Sequence, residues 1–389
     1  MLALKLAFKN LLGAGLRTWL NVSVLSFAFV LIIFYNGMLD GWNRQGRRDT
    51  IAWETGVGQF WHPEYDRFDS YTFQDSHASL SGEIQDEVDK KNLVPILVVQ
   101  ATAFPQGRTL GVILKGIDPA QKVLDLPTSA LETSSGGDVH AIIGKRMAES
   151  AKLKIGDNLL IRWRDKNGTF DAREIQIAEV FKCDVPSIDN GQIYLPIDVL
   201  RKMMEMKNEA TYLVAGAGYS NKVLEYWKFK DLGFLLADFD KLIRAKRGGA
   251  SIMEGFLLII ALIAIFDTQV LSIFRRQKEI GTYIALGMTR TQVVGIFTVE
   301  GGAHSILATL LGAAYGIPLF IFLDKVGISF GIGQNMDITL AETIYPYYSI
   351  RLIISTIIIV VLTATIVSYL PSRKISKMKP TDALKGKLQ

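Results

Sequence analysis

An uncharged apolar run near the N-terminus constrains the fold of this chain more than any other feature. Residues 19–39 hold no Asp, Glu, Lys, Arg or His over 21 positions. As a helix this run would be about 31 Å long at ~1.5 Å per residue, which matches the ~30 Å hydrocarbon core of a bilayer. It predicts a transmembrane helix, which we interpret as a retained anchor because it is longer than the apolar part of a signal peptide.

Three further apolar stretches predict three more membrane spans, at residues 251–274, 292–323 and 349–370. The stretch over 292–323 is longer than one crossing requires. We therefore expect its first turns to lie at the inner interface, with the span itself beginning near Val299. Small residues four apart on this helix would let another helix approach closely. These residues are Ala308, Gly312 and Gly316.

The segment between the first two spans, residues 40–250, has the composition of a soluble protein. It alternates strand-like and helix-like runs, and Lys166-Asn167-Gly168 signals a hairpin. The helix-like runs cover residues 145–153, 196–206 and 219–231. We also expect a helix over 238–249 that leads directly into the second span, and a short loop over 324–348 between the last two. The predicted fold class is a membrane protein with four transmembrane α-helices, one before and three after a large extracytoplasmic α+β domain with a mostly antiparallel sheet.

Positive charge is concentrated in three segments. Residues 1–18, 275–291 and 371–389 together carry a net charge of +11, against a formal net charge of +5 for the whole chain. Because cytoplasmic segments of membrane proteins are enriched in Lys and Arg, we expect all three to be cytoplasmic. Both termini would then be cytoplasmic, with residues 1–18 as an amphipathic helix, and residues 40–250 would lie on the other side of the membrane. The basic composition thus indicates topology and not nucleic-acid binding.

Residues that would indicate an enzyme or a metal site are absent or scattered. Cys183 is the single cysteine, and His62, His77 and His140 have no metal-ligand spacing, so we expect no metal. No P-loop and no activated-nucleophile motif occurs. We therefore expect a chain without a catalytic residue or a cofactor.

Four aromatic residues lie just beyond the first span: Trp53, Phe60, Trp61 and Tyr65. Two interpretations stay open at the level of sequence. The residues fill the core of the inserted domain, or they form a surface that grips an apolar cargo close to the membrane.

Residues 275–291, RRQKEIGTYIALGMTRT, separate the second and third spans. Gly287 follows an apolar helical stretch and predicts a helix C-cap, while Thr289 and Gln292 fit a capping box that starts the next helix. The pattern predicts a short amphipathic helix between two spans. Such a helix would serve as a handle for a cytoplasmic partner, or it would rest on the membrane surface.

This segment resembles the coupling segment of the FtsX/MacB-type ABC transporter permeases, through Glu279, Ile280, Gly281, Ala285 and Gly287. Two other stretches agree with the family. LAFKNLLGAGLRTWL at the start resembles the family's entry motif, with Lys9 in place of the usual Arg. PSRKISKMKPTDALK at the end resembles its closing motif, at Pro371, Pro380, Ala383 and Leu384.

Within this family, the inserted domain is most similar to the lipoprotein-releasing (LolC/LolE) permeases. Gly116-Ile117-Asp118-Pro119 resembles their G-I-D-P turn, and the stretch from Ile143-Gly144 to Gly156-Asp157 resembles a second motif, with Met147 replacing the usual Leu. Gly58-Gln59-Phe60 matches their early strand only loosely.

The resemblance implies a non-catalytic subunit that works with a separate cytoplasmic ABC ATPase, which binds the ATP, and with a second permease subunit in a homo- or heterodimer. The residues it assigns to ATPase coupling are Arg276, Lys278, Glu279, Ile280, Gly281, Ala285, Leu286 and Gly287. By mechanotransmission, ATP-driven movement of this segment would reach the periplasmic domain.

The lipoprotein-releasing branch further implies a lipoprotein cargo, a periplasmic carrier and contact with membrane lipid. Cargo acyl chains would enter between spans one and two, against Phe27, Leu31, Phe34, Phe256 and Ile260. Two alternatives stay open: a MacB-like efflux permease, and an FtsX-like lever that controls a periplasmic enzyme.

Polar residues inside the predicted spans need a partner or an aqueous surface. For Asp267 we consider a contact across the dimer or the bundle, or a carboxylate that is protonated or reaches the inner interface. Glu300 and His304 lie four apart on one helical face, which is close enough for them to pair with each other. The pair would be a structural anchor or a proton relay, and the family resemblance favours the anchor.

Overall fold

The computed structural model describes residues 16–132, 138–183, 185–220, 223–329 and 343–377. The predicted N-terminal amphipathic helix therefore lies almost entirely outside the described residues. So do the centre of the predicted loop over 324–348 and the end of the C-terminal tail, including the motif residues Pro380, Ala383 and Leu384.

The described residues form long helices at both ends of the chain and short helices between them. A π-helical turn over Ile51–Thr55, here called the π-turn, continues the first helix. The α-helices are α1 (Leu16–Thr50), α2 (Gly82–Asp89), α3 (Lys145–Ala151), α4 (Pro186–Asp189), α5 (Ile197–Met203), α6 (Leu232–Leu235), α7 (Ala237–Arg275), α8 (Gln277–Ala285), α9 (Arg290–Val326) and α10 (Ile350–Ser372), with 3₁₀ turns at Ser70–Gln74, Pro105–Gly107, Thr128–Leu131 and Arg373–Lys377.

The strands lie mainly between α1 and α7, and one short pair follows α9. They are β1 (Gly58–Trp61), β2 (Ala78–Ser79), β3 (Leu93–Ala103), β4 (Leu110–Ile117), β5 (His140–Gly144), β6 (Asn158–Arg164), β7 (Phe170–Phe181), β8 (Gln192–Pro196), β9 (Glu209–Ala210), β10 (Tyr212–Ala215), β11 (Lys228–Lys230), β12 (Ile328–Ser329) and β13 (Thr343–Ile344).

Among the described residues, four helical segments are long and apolar enough to cross a membrane: Trp19–Thr55, Ala237–Arg275, Arg290–Val326 and Ile350–Ile375. With the sheet-rich insertion after the first of them, they confirm the predicted fold class. The helices extend beyond the apolar runs that identify them. The helix expected to lead into the second span is the first part of α7, which is unbroken.

The described chain divides into two compact units. The membrane unit contains the chain up to Asn43, Leu242–Ser329 and the chain from Thr343 onward, and the outer unit contains Arg44–Lys241. The core of the membrane unit is built on one face of α1, because Val22, Leu25 and Phe29 recur at helical spacing and are buried. Residues from the other three long helices complete this core: Ala261, Ile265, Ala308, Val360 and Ala364.

The outer unit is built on a nine-stranded sheet in the order β11-β1-β10-β3-β4-β8-β5-β7-β6. The long strand β3 pairs with β10 through its first half and with β6 through its second half. The pairing with β6 closes β3-β4-β8-β5-β7-β6 into a barrel. Two pairs, β4–β8 and β5–β7, are parallel and the others are antiparallel, as expected for a mostly antiparallel sheet.

Local signals in the sequence predicted part of this unit. The hairpin at Lys166-Asn167-Gly168 joins β6 to β7, with Gly168 at φ +88°. Two of the helix-like runs correspond to α3 and α5. The helix predicted over 219–231 is wrong in the described part of that range, because residues 228–230 form β11. The reason is packing: Phe229 of β11 pairs with Phe60 of β1, and their ring centroids lie 5.0 Å apart.

Candidate functional site

The short helix α8 lies between α7 and α9, and both of its ends are defined by local hydrogen bonds. Gly287, at φ +98°, follows its last turn. The Gly287 amide donates to the Ile284 carbonyl at 3.1 Å, and the Met288 amide donates to the Tyr283 carbonyl at 3.1 Å. This pair of bonds is a Schellman motif, in which glycine adopts the left-handed conformation at little cost. The predicted C-cap is confirmed.

The next helix, α9, begins with the predicted capping box. The Gln292 amide donates to Thr289 Oγ1 at 3.3 Å, and the Thr289 amide donates to Gln292 Oε1 at 2.9 Å. These reciprocal bonds satisfy two amides that helix geometry leaves without a partner. The turn between α8 and α9 is therefore determined on both sides by residues within the segment itself.

One face of α8 is buried against its neighbours. Ile280 is fully buried, and Gly281 beside it is buried as well. The surrounding apolar cluster draws on α7, α9 and the 3₁₀ turn after α10, through Ile273, Val293, Val294, Phe297 and Ile375. Because Ile280 shares this cluster with side chains from three other elements, α8 packs firmly against the end of the helix bundle.

Arg276, in the joint between α7 and α8, makes a network of charged contacts. Its Nη1 lies 3.0 and 2.8 Å from the two carboxylate oxygens of Glu300, and its Nε lies 2.7 Å from Glu279 Oε2. The guanidinium also lies 4.8 Å from the ring centroid of Phe297. Charge-assisted bonds of this kind are short and geometrically specific. The side chain of Glu300 is only 8% exposed, so the pair is shielded from water.

The expected pairing of Glu300 with His304 is wrong. The carboxylate of Glu300 bonds to Arg276, and His304 Nδ1 lies 3.0 Å from the backbone carbonyl oxygen of Glu300. A carbonyl oxygen only accepts, so Nδ1 carries the hydrogen. His304 Nε2 is buried without a partner among the described residues. Arg276 brings a permanent positive charge to the carboxylate, in a planar guanidinium that contacts both of its oxygens.

The residues assigned to ATPase coupling divide into two groups by burial. Ile280 and Gly281 face inward, while Arg276 is engaged with Glu300. The exposed members are Lys278, Glu279, Ala285, Leu286 and Gly287. Leu286 is 79% exposed, so the turn after α8 presents an apolar side chain at the surface of this chain. An exposed apolar side chain on a rigid turn is suited to contact with another protein.

A close approach between α9 and α10 lies next to this site and was not predicted. A Cβ at Gly301 would lie 2.1 Å from Ser368 Oγ, and one at Gly302 would lie 2.8 Å from Thr365 Oγ1. Both glycines are therefore required for the contact. The two consecutive glycines after Glu300 were the feature of the sequence that could have indicated this close approach.

The small-residue face predicted on α9 contacts α1. A Cβ at Gly312 would lie 3.0 Å from Phe29 Cδ1, and one at Gly316 would lie 3.1 Å from Val30 Cγ2. Ala308 is fully buried in the same core. This face allows α1 and α9 to pack closely, as small residues do in membrane helices.

Helices α1 and α7 are joined by polar contacts along their length. Asn21 bonds to Thr268, Asn36 to Glu254, and Asp40 to Arg247. Of the residues assigned to cargo contact, Leu31 and Phe34 are partly buried in this bundle, whereas three are more than half exposed on it. The exposed three are Phe27, Phe256 and Ile260.

Asp267 lies on the exposed surface of α7 and has no hydrogen-bond or ion-pair partner in the described chain. A contact within this bundle, one of the interpretations considered for it, is therefore not observed. The exposed side chain of Asp267 is therefore available to contact lipid, solvent or another chain.

The aromatic residues beyond α1 belong to the interior of the outer unit. Phe60 is fully buried, Trp61 is 5% exposed, and Trp53 stacks on Phe181 with centroids 5.7 Å apart. Tyr65 packs against Trp61 and Tyr212. The structure thus favours core filling over a cargo-gripping surface. Within the described residues, no group of three or more His, Cys, Asp or Glu side chains could hold a metal ion.

Comparison with known protein families gives a match in the C-terminal third of the chain. Residues 251–380, which contain α8 and its partners, match the family described as FtsX-like permease C-terminal. This match confirms the resemblance found in the sequence, and the Arg276–Glu300 pair lies within the matched residues.

Three relatives of this chain differ in how much of it they cover. The uncharacterized ABC transporter permease MJ1507 of Methanocaldococcus jannaschii is 24% identical over 251 residues, covering 60% of this chain and 58% of its own length. The lipoprotein-releasing system transmembrane protein LolC of Xylella fastidiosa is 20% identical over 321 residues, covering 74% of this chain and 76% of its own. The macrolide export ATP-binding/permease protein MacB of Burkholderia cenocepacia is 28% identical over 134 residues, covering 34% and 18%.

The chain thus spans little more than half the length of MJ1507 and less than a fifth of that of MacB. Among solved structures, the periplasmic region of MacB from Actinobacillus actinomycetemcomitans aligns with 48% of this chain and 93% of its own, at 9% identity and a TM-score of 0.32.

Proposed function

We propose that this permease is the membrane subunit of an ABC transporter that extracts lipoproteins from the outer leaflet of the inner membrane. A separate cytoplasmic ATPase would bind and hydrolyse ATP. The observation that carries the proposal is the match to LolC, which extends over 74% of the chain and therefore includes part of the outer unit as well as part of the membrane unit. The MacB match covers 34% of the chain.

The α8 site supports a coupling role for this part of the permease. Leu286 and the neighbouring exposed residues form a surface that an ATPase would contact. A force on that surface would reach α9 through Arg276 and Glu300, and α7 through the cluster around Ile280. Since α1 and α7 run as unbroken helices from the membrane unit into residues of the outer unit, movement would pass along them by mechanotransmission. In this proposal both termini are cytoplasmic and the outer unit is periplasmic, in agreement with the positive charge of residues 1–18, 275–291 and 371–389.

Extraction of a lipid-anchored cargo requires energy. Removing acyl chains from a bilayer costs about 0.8 kcal/mol for each buried CH₂ group, so an ATP-driven step is physically reasonable. In this proposal the exposed apolar residues Phe27, Phe256 and Ile260 meet the acyl chains, and Asp267 meets the second permease subunit. A periplasmic carrier would then receive the cargo.

A MacB-like efflux permease is the second candidate, because the MacB relative has the higher identity over its shorter match. An FtsX-like lever that controls a periplasmic enzyme is the third. These three candidate functions require different partner proteins, so identifying the partners distinguishes between them.

The experiment is purification of the full-length permease from its native membrane in mild detergent, with identification of the proteins that copurify. A small ATPase together with a lipoprotein is the expected result. A periplasmic tunnel protein would instead support efflux, and a cell-wall hydrolase or its adaptor would support the lever. Recovery of no ATPase would contradict an ABC transporter of any kind.

A matched pair of variants localises the ATPase contact. Leu286→Glu places a charge on the exposed turn after α8 and is expected to reduce copurified ATPase at least tenfold. Phe170→Glu places the same charge on a residue that is 67% exposed in the outer unit, and should retain the ATPase. Equal recovery with both variants would place the contact elsewhere.

A further inference from the structure

A lysine lies in the interior of the outer unit, where its charge has no obvious counterpart. Lys115 is in the middle of the sheet, on β4, paired with Val98 of β3 on one side and Tyr194 of β8 on the other. Only 6% of the residue is exposed. Its neighbours on the same face of β4, Ile113 and Ile117, contribute to a hydrophobic core. An apolar residue would be the ordinary occupant of this position.

Aromatic rings surround the ammonium group of Lys115. Its Nζ lies 5.9 Å from the ring centroids of both Tyr194 and Tyr212. Tyr65 stacks on Tyr212 at a centroid distance of 5.6 Å and an interplanar angle of 29°. Ring faces attract a cation but do not take the place of hydrogen-bond acceptors for the N–H donors of an ammonium group. Among the described residues, no oxygen accepts a hydrogen bond from Lys115 Nζ.

The three tyrosines do not supply a negative charge. Burial raises the pKa of Tyr65, Tyr194 and Tyr212 well above its usual range, so their hydroxyls stay protonated at neutral pH. Tyr194 donates its hydrogen to Gln192 Oε1 at 2.7 Å. Within the described chain, the hydroxyls of Tyr65 and Tyr212 have no acceptor. They therefore add two more hydrogen-bond donors to the surroundings of Lys115.

Glu54 stands at the rim of this cluster, in the π-turn that follows α1. It is close enough to influence Lys115 electrostatically, but its carboxylate accepts a hydrogen bond from Ser187 Oγ at 3.0 Å. Glu54, Trp53 and Tyr65 are only partly buried, so they mark the side from which a small molecule would enter. π-Helical turns of this kind recur at functional sites.

We propose that Lys115, with Tyr65 and Tyr212, forms a binding site for a small organic molecule that carries one carboxylate group. The carboxylate would accept hydrogen bonds from the ammonium and the two hydroxyls, and an apolar part of the ligand would contact the rings. One cation matches a singly charged carboxylate. A phosphate dianion is disfavoured, because Glu54 lies beside the site and Arg67, which influences Tyr65 electrostatically, is paired with Asp238. This inference does not depend on the transport function.

The test uses the full-length permease in detergent and 4-fluorobenzoate as the probe, with binding followed by ¹⁹F NMR line broadening. Saturable binding is expected, and neutral 4-fluorobenzamide should not bind. Lys115→Met, which keeps the length and apolar character of the side chain, should weaken binding at least tenfold. Lys154→Met removes an exposed lysine of the outer unit and should leave binding unchanged.

The Glu54→Gln variant should change binding in the opposite direction to Lys115→Met. Glu54 is only partly buried, so this substitution disturbs the core less. Removing the negative charge at the rim should strengthen binding about twofold to tenfold. A second probe, N-acetylphenylalanine, separates two sources of the same chemistry. If it binds more tightly than 4-fluorobenzoate, the site takes the C-terminal carboxylate of a peptide, and if it binds more weakly, the site takes a free small carboxylate.

Three results would overturn the inference: no saturable binding to the unmodified protein, equal binding to the Lys115→Met variant, or weaker binding to the Glu54→Gln variant. The last would show that Glu54 is the counter-charge of Lys115 within the protein. Thermal unfolding of each variant, compared with the unmodified permease, shows that a loss of binding is not a loss of fold.

Discussion

An arginine–carboxylate pair lies near each end of α7, and the two differ mainly in their surroundings. At the α8 end, the side chains of Arg276 and Glu300 are 18% and 8% exposed and lie beside Phe297. At the other end, those of Arg247 and Asp40 are 45% and 23% exposed. Water screens the second pair and not the first. The same chemistry therefore fixes geometry at one end and contributes little at the other.

The largest expected effect comes from breaking the buried pair. Arg276→Met leaves the Glu300 carboxylate buried without its cation, so we expect the free energy of unfolding to fall by about 3–5 kcal/mol. Denaturant or thermal unfolding in detergent measures this loss. Arg275→Met is the matched control, because the neighbouring side chain is exposed, and it should change stability by less than about 0.5 kcal/mol. Similar losses for both variants would show that the buried Arg276–Glu300 pair contributes no more to stability than an exposed arginine does.

The close approach of α9 and α10 beside the buried pair should be the next most sensitive feature. Gly301→Ala introduces a Cβ that overlaps Ser368, and we expect a loss of about 1–3 kcal/mol. Gly295→Ala is a control on the same helix with no atom within 4 Å of the added Cβ. It should be neutral, or stabilising by up to about 1 kcal/mol, because alanine favours helix. Equal results in the unfolding assay would argue against the close approach.

The exposed pair should respond weakly to loss of charge. Asp40→Asn keeps the shape of the side chain, and we expect a loss of about 0–1 kcal/mol that shrinks further at high salt. Glu300→Gln makes the equivalent change in the buried pair and should cost more than twice as much, with little dependence on salt. If the two variants lost the same free energy of unfolding with the same salt dependence, burial would not distinguish the two pairs.

The smallest expected effect on stability is that of Asp267→Leu. Because Asp267 is exposed on α7, its replacement should leave membrane insertion and the unfolding midpoint of the isolated permease nearly unchanged. If Asp267 meets the second subunit, cargo release in reconstituted vesicles should nevertheless decrease. Phe266→Leu, at the adjacent exposed position, serves as the control. Unchanged release with Asp267→Leu would reject a role for its charge.

Features that depend on neighbouring residues could be predicted from the sequence. The capping box at Thr289 and Gln292 and the glycine cap at Gly287 form from bonds within a few residues, so residue types at short spacing define them. The hairpin around Gly168 follows for the same reason. The four spans could be predicted because a bilayer imposes a length and a polarity on each helix separately.

Contacts between distant segments could not be predicted. Glu300 has His304 one helical turn away, yet it pairs with Arg276, which is 24 residues distant. The sequence does not show which of these two residues the Glu300 carboxylate contacts, because that depends on how α8 packs beside α9. The closure of the barrel by β3 and β6 is likewise a long-range pairing, and the burial of Lys115 follows from the position of β4 between β3 and β8.

The sequence by itself determined the number of membrane helices, the inserted domain, the caps of α8 and α9, and the family to which the permease domain belongs. Only the tertiary structure decided which carboxylate Arg276 binds, which glycines are indispensable, and that Asp267 faces outward while Lys115 faces inward. The physical reason is that hydropathy and capping act over one or two helical turns, whereas the partner and the solvent exposure of a side chain depend on segments far away in the chain.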